Sequence, residues 1–318
     1  MTATYTVPKY TEQVIPERMN LLKFLTLIGL ILGVFWLSQL GVNLIDSRFY
    51  ALPSGLHFAF KWTRVLSLAI INAILVMELG ILGHEAAHKW LLKTKFWKDF
   101  CGGIFMSFLL IPFSSFKEFH LTHHRYTHIP DKDPEEPVNN HSAFLALRIG
   151  PLIGLGIHYK GLVDYLLNDS AKIRSQGWKD VGFISWALLC YFYLIPLANF
   201  FLEYTVFPVL IFLHFVFMVR NFSEHYGIPA QTVKNINSEL KVDSWMILSN
   251  PLMDWVWRKI NYHQIHHRYP YLHYRYLPEV FAATKDEQPY ILINGYWRAA
   301  ITALSQKYYG SDTNIQGL

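Results

Sequence analysis

The chain has 318 residues, of which 52% are hydrophobic, 16% aromatic and only 16% charged, with a net charge of +5. That balance is richer in apolar and poorer in charged residues than an ordinary soluble domain and points to an integral membrane protein. Cys101 and Cys190 lie in separate apolar segments, which excludes a disulfide framework and a thiolate metal site; the positive charge is accounted for by its position relative to the membrane, and nothing points to nucleic acid.

Residues 1–20 form a polar tail with Pro8 and Pro16. Leu21 to Ile45, broken only by Lys23, is long enough to cross about 30 Å of hydrocarbon. It is longer than a secretory signal core and is expected to be retained as a first span. A short loop, Asp46 to Lys61 with Pro53 and Gly55, leads to a second apolar run from Trp62 to Leu82, so 21–83 reads as a transmembrane hairpin. Residues 84–180 are mixed, apart from Phe100 to Phe113, which is short for a span and suits a re-entrant or interfacial element. Val181 to Leu202 and Tyr204 to Val219, separated by Glu203 and carrying Pro196 and Pro208 as possible kinks, make a second hairpin over 181–220. Residues 221–318 are polar and rich in His, Tyr and Pro.

Four crossings put the N-terminal tail, 84–180 and 221–318 on one face. Lys and Arg number 12 in His84–Asp180 and nine after Arg220, against Arg48, Lys61 and Arg64 near the first hairpin's tip. The positive-inside rule assigns the large segments, and both termini, to the cytosol.

Of 15 histidines, nine fall into tight groups: His84 and His88 in "HEAAH"; His120, His123 and His124 in "HLTHH"; His225 in "NFSEHYG"; and His263, His266 and His267 in "HQIHH". Spacings of three and four put side chains one helical turn apart on one face. All four groups fall on the same side of the membrane by the parity above. Imidazole suits iron, copper, zinc and nickel, and nine ligands are too many for one ion but match two, with positions left for water or a substrate such as dioxygen. The expected fold is an all-α integral membrane protein, four transmembrane helices in two hairpins, with a cytosolic helical cap holding a histidine-rich dimetal site.

"HEAAH", "HLTHH" and "HQIHH" resemble the three histidine boxes of the membrane fatty acid desaturase superfamily, in the usual order relative to four spans. "HHRYTHIPDKDP" (His123 to Pro134) and "NYHQIHHRYPYLHYRYLP" (Asn261 to Pro278) resemble the family's flanks of boxes two and three. Asn221-x-x-x-His225 is similar to an element that supplies a further ligand and a water-holding amide. Box one has three intervening residues, as in acyl-lipid desaturases and related hydroxylases, where acyl-CoA desaturases have four. "NFSEHYG" is also close to a motif of alkane hydroxylases.

The resemblance implies two Fe ions, O2 as co-substrate, and removal of hydrogen from an unactivated C–H bond of an acyl chain to give an alkene. The alternative outcome is hydroxylation or ketolation of a lipid, alkane, sphingolipid or carotenoid. With no His-Pro-Gly-Gly motif of a fused cytochrome, the electron donor is expected to be a separate ferredoxin or cytochrome b5 type protein, with Lys89, Lys93, Lys95 and Lys98 as a docking surface.

Glu78 in the second span, Glu85 within box one and His128 after box two are candidates to support ligating histidines. His57, His141, His158, His214 and His273 read as structural or interfacial. Asp131, Asp133, Glu135 and Glu136 read most simply as a solvated loop, although their place beside box two allows contact with a ligand or a headgroup. Two other classes compete. In a zinc metalloprotease His84 and His88 would bind zinc, Glu85 would be the base and "NPLMD" (Asn250 to Asp254) a later element. A haem carrier fails because only His214 lies within a span.

Overall fold

The computed structural model describes residues 6–48, 52–139, 143–198, 205–226, 228, 242–286 and 290–305. Among them are four helices long and apolar enough to cross a membrane. Helix α1 (Glu17–Arg48) outruns the expected span at both ends, because polar residues at a membrane edge do not stop a helix that still makes its backbone bonds. Helix α2 (Ser54–Ala87) starts after Pro53 and continues through the span into box one. At 34 residues it is about 51 Å long, so its last turns project beyond any hydrocarbon layer of about 30 Å.

The run expected as one re-entrant element is divided. Helix α3 (Lys95–Ser107) ends where Ser107 Oγ donates to the Ile104 carbonyl at 2.7 Å, and Leu110 turns left-handed at φ 58°. Pro112 then precedes α4 (Phe113–Tyr126), which carries box two. Gly102 and Gly103 let α3 approach its neighbours closely: a Cβ on Gly103 would lie 2.3 Å from the Phe183 ring. Helix α5 (Ala143–Leu166), of 24 residues with Pro151 inside it, was not expected; its glycines, proline and scattered polar residues mask the helical pattern.

The third long helix, α6, runs Ala171–Leu197 and starts ten residues before the apolar run at Val181. It contains a π-helical turn at Cys190–Leu194, just before Pro196, and such a turn is one of the recognised sources of a helix bend. Helix α7 (Phe207–His225) carries Pro208 at its second residue and follows directly on a π-helical turn at Thr205 and Val206. Glu203, expected to divide the two spans, lies outside the described residues.

The packing centres on α2, which contacts α1, α3 and α7, while α6 packs against α3 and α5. Leu27, Phe35, Val76, Leu82, Met106 and Leu213 fill the shared core.

The C-terminal segment adds a feature the all-α expectation omitted. Strands β1 (Met246–Leu248) and β2 (Leu292–Asn294) pair in parallel, with Ile247 opposite Ile293. Asn261 ties this pair to box three, because Nδ2 donates to the Ile247 carbonyl at 2.7 Å. Helix α8 (Pro251–Val256) is capped by Asn250, whose Oδ1 accepts from Met253 N–H at 2.9 Å. Helix α9 (His263–Arg268) carries box three, and α10 (Tyr296–Ser305) packs against α7.

Candidate metal centre

All nine grouped histidines are buried at the ends of these helices, and helix geometry sorts them. On α4, His120 and His124 are four apart and share a face, while His123 points about 100° away. On α9, His263 and His267 share a face and His266 points away. The faces are matched crosswise. His84, His88, His120, His124 and His266 bring one ring nitrogen each within 4.8 Å of one another. On the other side, His123, His225 and His267 form a second set. His263 joins it, with Nε2 at 2.7 Å from His225 Nε2 and 3.1 Å from His267 Nε2.

The donor geometry fits metal ions. Two nitrogens each about 2.1 Å from one ion and at right angles lie about 3 Å apart. His88 and His120 Nε2 are 2.8 Å apart, and His124 and His120 Nε2 are 3.0 Å apart. Several ring nitrogens, among them both of His84, Nε2 of His266 and Nε2 of His123, are buried without a hydrogen-bond partner among the described residues. A cation is the partner that satisfies such lone pairs.

Surrounding groups fix the ring tautomers so that Nε2 faces inward. Asp133 Oδ1 accepts from His123 Nδ1 at 2.8 Å. Thr127 Oγ1 donates to the His123 carbonyl at 2.7 Å and accepts from His267 Nδ1 at 3.1 Å, with Asp243 Oδ2 3.5 Å from that same nitrogen. The Ile260 carbonyl lies 3.2 Å from His263 Nδ1. Burial drives the His88 imidazole down to about 4. Burial, then repulsion from neighbouring imidazoles, holds His120, His124, His263 and His266 well below the ordinary range, so these rings are neutral donors. At His123 burial also opposes charge, but Asp133 and Glu135 outweigh it and push the value up to about 9.

Between the sets lies a narrow cavity of about 60 Å³. Its apolar wall comes from Met77, Gly80 and Ile81 of α2, Met106 and Leu109, and Phe116; its polar wall includes Glu135, Arg220, Asn221 and Glu224 beside the histidines.

The other expected residues take distinct places. Asn221 lines the cavity with Oδ1 unpartnered among the described residues. Glu85 Oε1 is 3.7 Å from His84 Nδ1. His128 is buried in a left-handed turn, φ 59°, its ring 5.8 Å from that of His225 and its N–H donating to Asp133 Oδ2 at 2.7 Å. Glu78 is buried in an ion pair with Lys23, the charge that interrupted the first span. His158 packs 4.7 Å from Phe119, His273 5.1 Å from Trp90, and His57 pairs with Asp46 at 3.3 Å; His141 lies outside the described residues. Lys98, placed on the basic docking surface, is 7% exposed and does not belong to an open face.

Of three carboxylates beside the site, Asp133 takes the ligand contact that its place beside box two allowed, and Glu224 and Asp243 were not singled out. Asp133 is 4% exposed, not solvated. Glu224, within "NFSEHYG", groups with His225 and His263, and its place one residue before a box histidine was the available signal. Asp243 has no local spacing to any box. Asn250 and Asp254, the pair offered for a protease, instead cap α8 and accept from Asn261 Nδ2 at 3.0 Å; among the described residues neither belongs to a histidine set.

Of the four long apolar helices, α2 and α7 end in grouped histidines, and with α4 and α9 they bring together two sets of buried histidines that could hold metal ions in a mostly helical protein. A family profile described as fatty acid desaturase matches residues 59–297. The chain belongs to the fatty acid desaturase family. It is 23% identical over 246 residues to a sphingolipid delta(4)-desaturase of Candida albicans, an alignment covering 70% of this chain and 62% of the relative.

Proposed function

We propose that the protein is a membrane-bound, O2-dependent desaturase of acyl-chain lipids. The observation that carries this reading is the crosswise division of the nine histidines into sets of five and four around an apolar-walled cavity. Two iron ions held by His84, His88, His120, His124 and His266, and by His123, His225, His263 and His267, would with O2 supply the oxidising power to remove two hydrogens from a saturated carbon pair.

The chain's own residues do the rest. Asp133, Thr127 and the Ile260 carbonyl hold rings in place, so that the ions need no rearrangement to bind. Met77, Ile81, Leu109 and Phe116 exclude water and align one stretch of alkyl chain with the histidines. Asn221 offers an amide oxygen for a water, and Glu224 a carboxylate beside His263, 3.6 Å from its Nδ1. A low-identity relative named as a sphingolipid desaturase supports a lipid substrate, with the sphingoid chain as one candidate.

In this reading the four long helices cross the membrane in two pairs, the termini and histidine centre face the cytosol, and a separate ferredoxin or cytochrome b5 type protein delivers electrons. Expression with labelled fatty acids, followed by lipid mass spectrometry, tests it: His266→Ala and His123→Ala must each abolish product, and turnover retained in either variant removes the ligand assignment.

A further inference from the structure

A second cavity, of about 750 Å³, lies apart from the histidine centre, between the N-terminal half of α1 and the segment 251–275. Its wall carries four cations, Lys23, Arg258, Lys259 and Arg275, against one carboxylate, Asp254. Asp254 is engaged by Asn261. Glu78 and Glu85 sit behind the wall: Glu78 pairs with Lys23, and Glu85 feels the field of Arg258 and Lys23.

Arg258 is the centre of this arrangement. It is 2% exposed, its Nη2 donates to Asn20 Oδ1, its guanidinium lies 4.1 Å from the Tyr274 ring centroid, and its Nε has no partner among the described residues. Arg258 and Lys259 are consecutive left-handed residues, φ 49° and 58°, a conformation costly for side-chain-bearing residues. On the other side the rim is apolar and open: Met19 is 64% exposed, Leu22 66% and Trp255 43%. The cavity thus joins buried positive charge to an apolar edge at the place where α1 leaves its apolar stretch.

We infer that this cavity binds the phosphate-bearing headgroup of an anionic membrane lipid, its acyl chains lying along Met19 and Leu22 and its phosphate facing Arg258, Lys259 and Arg275. A phosphodiester without an amine suits it, because the cation of a choline headgroup would meet the same positive wall. The inference rests on the membrane reading above, and not on the reaction catalysed.

The test is native mass spectrometry of the full, metal-loaded chain in detergent, titrated with phosphatidylglycerol or with phosphatidylcholine of the same acyl chains. Phosphatidylglycerol should bind about tenfold more tightly. The double variant Lys259→Glu with Arg275→Glu should erase that preference while keeping the metal content and melting temperature of the parent. Arg258→Gln should weaken binding further; if it fails to fold, the double variant carries the test. Equal binding of the two lipids, or a preference unchanged in the double variant, overturns the inference. Displacement of phosphatidylglycerol by an equal concentration of inorganic phosphate also overturns it, since the site would then serve a soluble anion. Loss of lipid preference with product formation intact would leave the desaturase reading standing, and the converse holds.

Discussion

Replacing Asp133 with Asn removes one charge from beside the four-histidine set and leaves the volume unchanged. Asp133 is 4% exposed and accepts three hydrogen bonds, from His123 Nδ1 at 2.8 Å, His128 N–H at 2.7 Å and Glu135 N–H at 2.9 Å. An amide can satisfy one side of that arrangement, but it presents N–H to donors on the other. Hydrogen bonds to a charged acceptor contribute about 1.5–3 kcal/mol each, and losing the group that orients a metal-bound histidine typically costs about 10–100-fold in metal affinity. The consequence should be selective, because none of the five histidines of the other set touches Asp133 in the hydrogen-bond pattern described. Iron analysis of Asp133→Asn should fall from about two ions per chain toward about one, with turnover falling in step. Asp131→Asn, an exposed carboxylate two residues earlier, serves as the control and should keep both. If Asp133→Asn kept full iron and full turnover, or lost iron equally from both sets while still folded, the assignment of Asp133 to His123 would be refuted.

Glu85→Gln separates two chemistries: a hydrolytic zinc site loses all activity, whereas the proposed desaturase should lose about tenfold or less of product formation, because Glu85 only flanks His84. Gly103→Ala should destabilise by about 1–3 kcal/mol, since the new methyl meets a rigid ring, while Gly182→Ala, with nothing within 4 Å of its Cβ, should be neutral or slightly stabilising in a melting assay. His158 is buried among Phe116 and Phe119, and burial lowers it from 6.5 to about 4. The unfolded chain therefore takes up this proton first as pH falls, and stability is lost between about 6.5 and 4. Between pH 7 and 5.5 that amounts to about 1 kcal/mol, which His158→Phe should recover; an unchanged acid-induced drop in melting temperature would contradict the assignment.

The histidine boxes were legible because ligand spacing is local: three- and four-residue intervals fix which rings share a helix face before any tertiary contact forms. The long helices were legible for the same reason, although their ends were not, since hydrophobicity marks the hydrocarbon and not the last backbone hydrogen bond. The division of the nine histidines into two sets was not legible, because the placement of α4 beside α9 decides which face of each box meets which partner. Asp133 and Asp243 look like loop residues in sequence, and only the turn through His128 and the return of the C-terminal segment bury them. Lys23 and Glu78 were each visible as charges in apolar runs. Their pairing follows once both are placed near the same end of one hairpin, a step that parity already permitted. Strands of three residues, joined across distant parts of the C-terminal segment, carry no local signature.

In the proposed reaction the two histidine sets act together in removing hydrogen from a lipid chain. Mass spectrometry of lipids from a host expressing the chain, fed saturated acyl and sphingoid precursors carrying deuterium along the chain, tests it most directly. O2-dependent products lacking two hydrogens are expected, absent from the His266→Ala and His123→Ala strains. Products that instead gain one oxygen, or unsaturated products that persist in those variants, would contradict it.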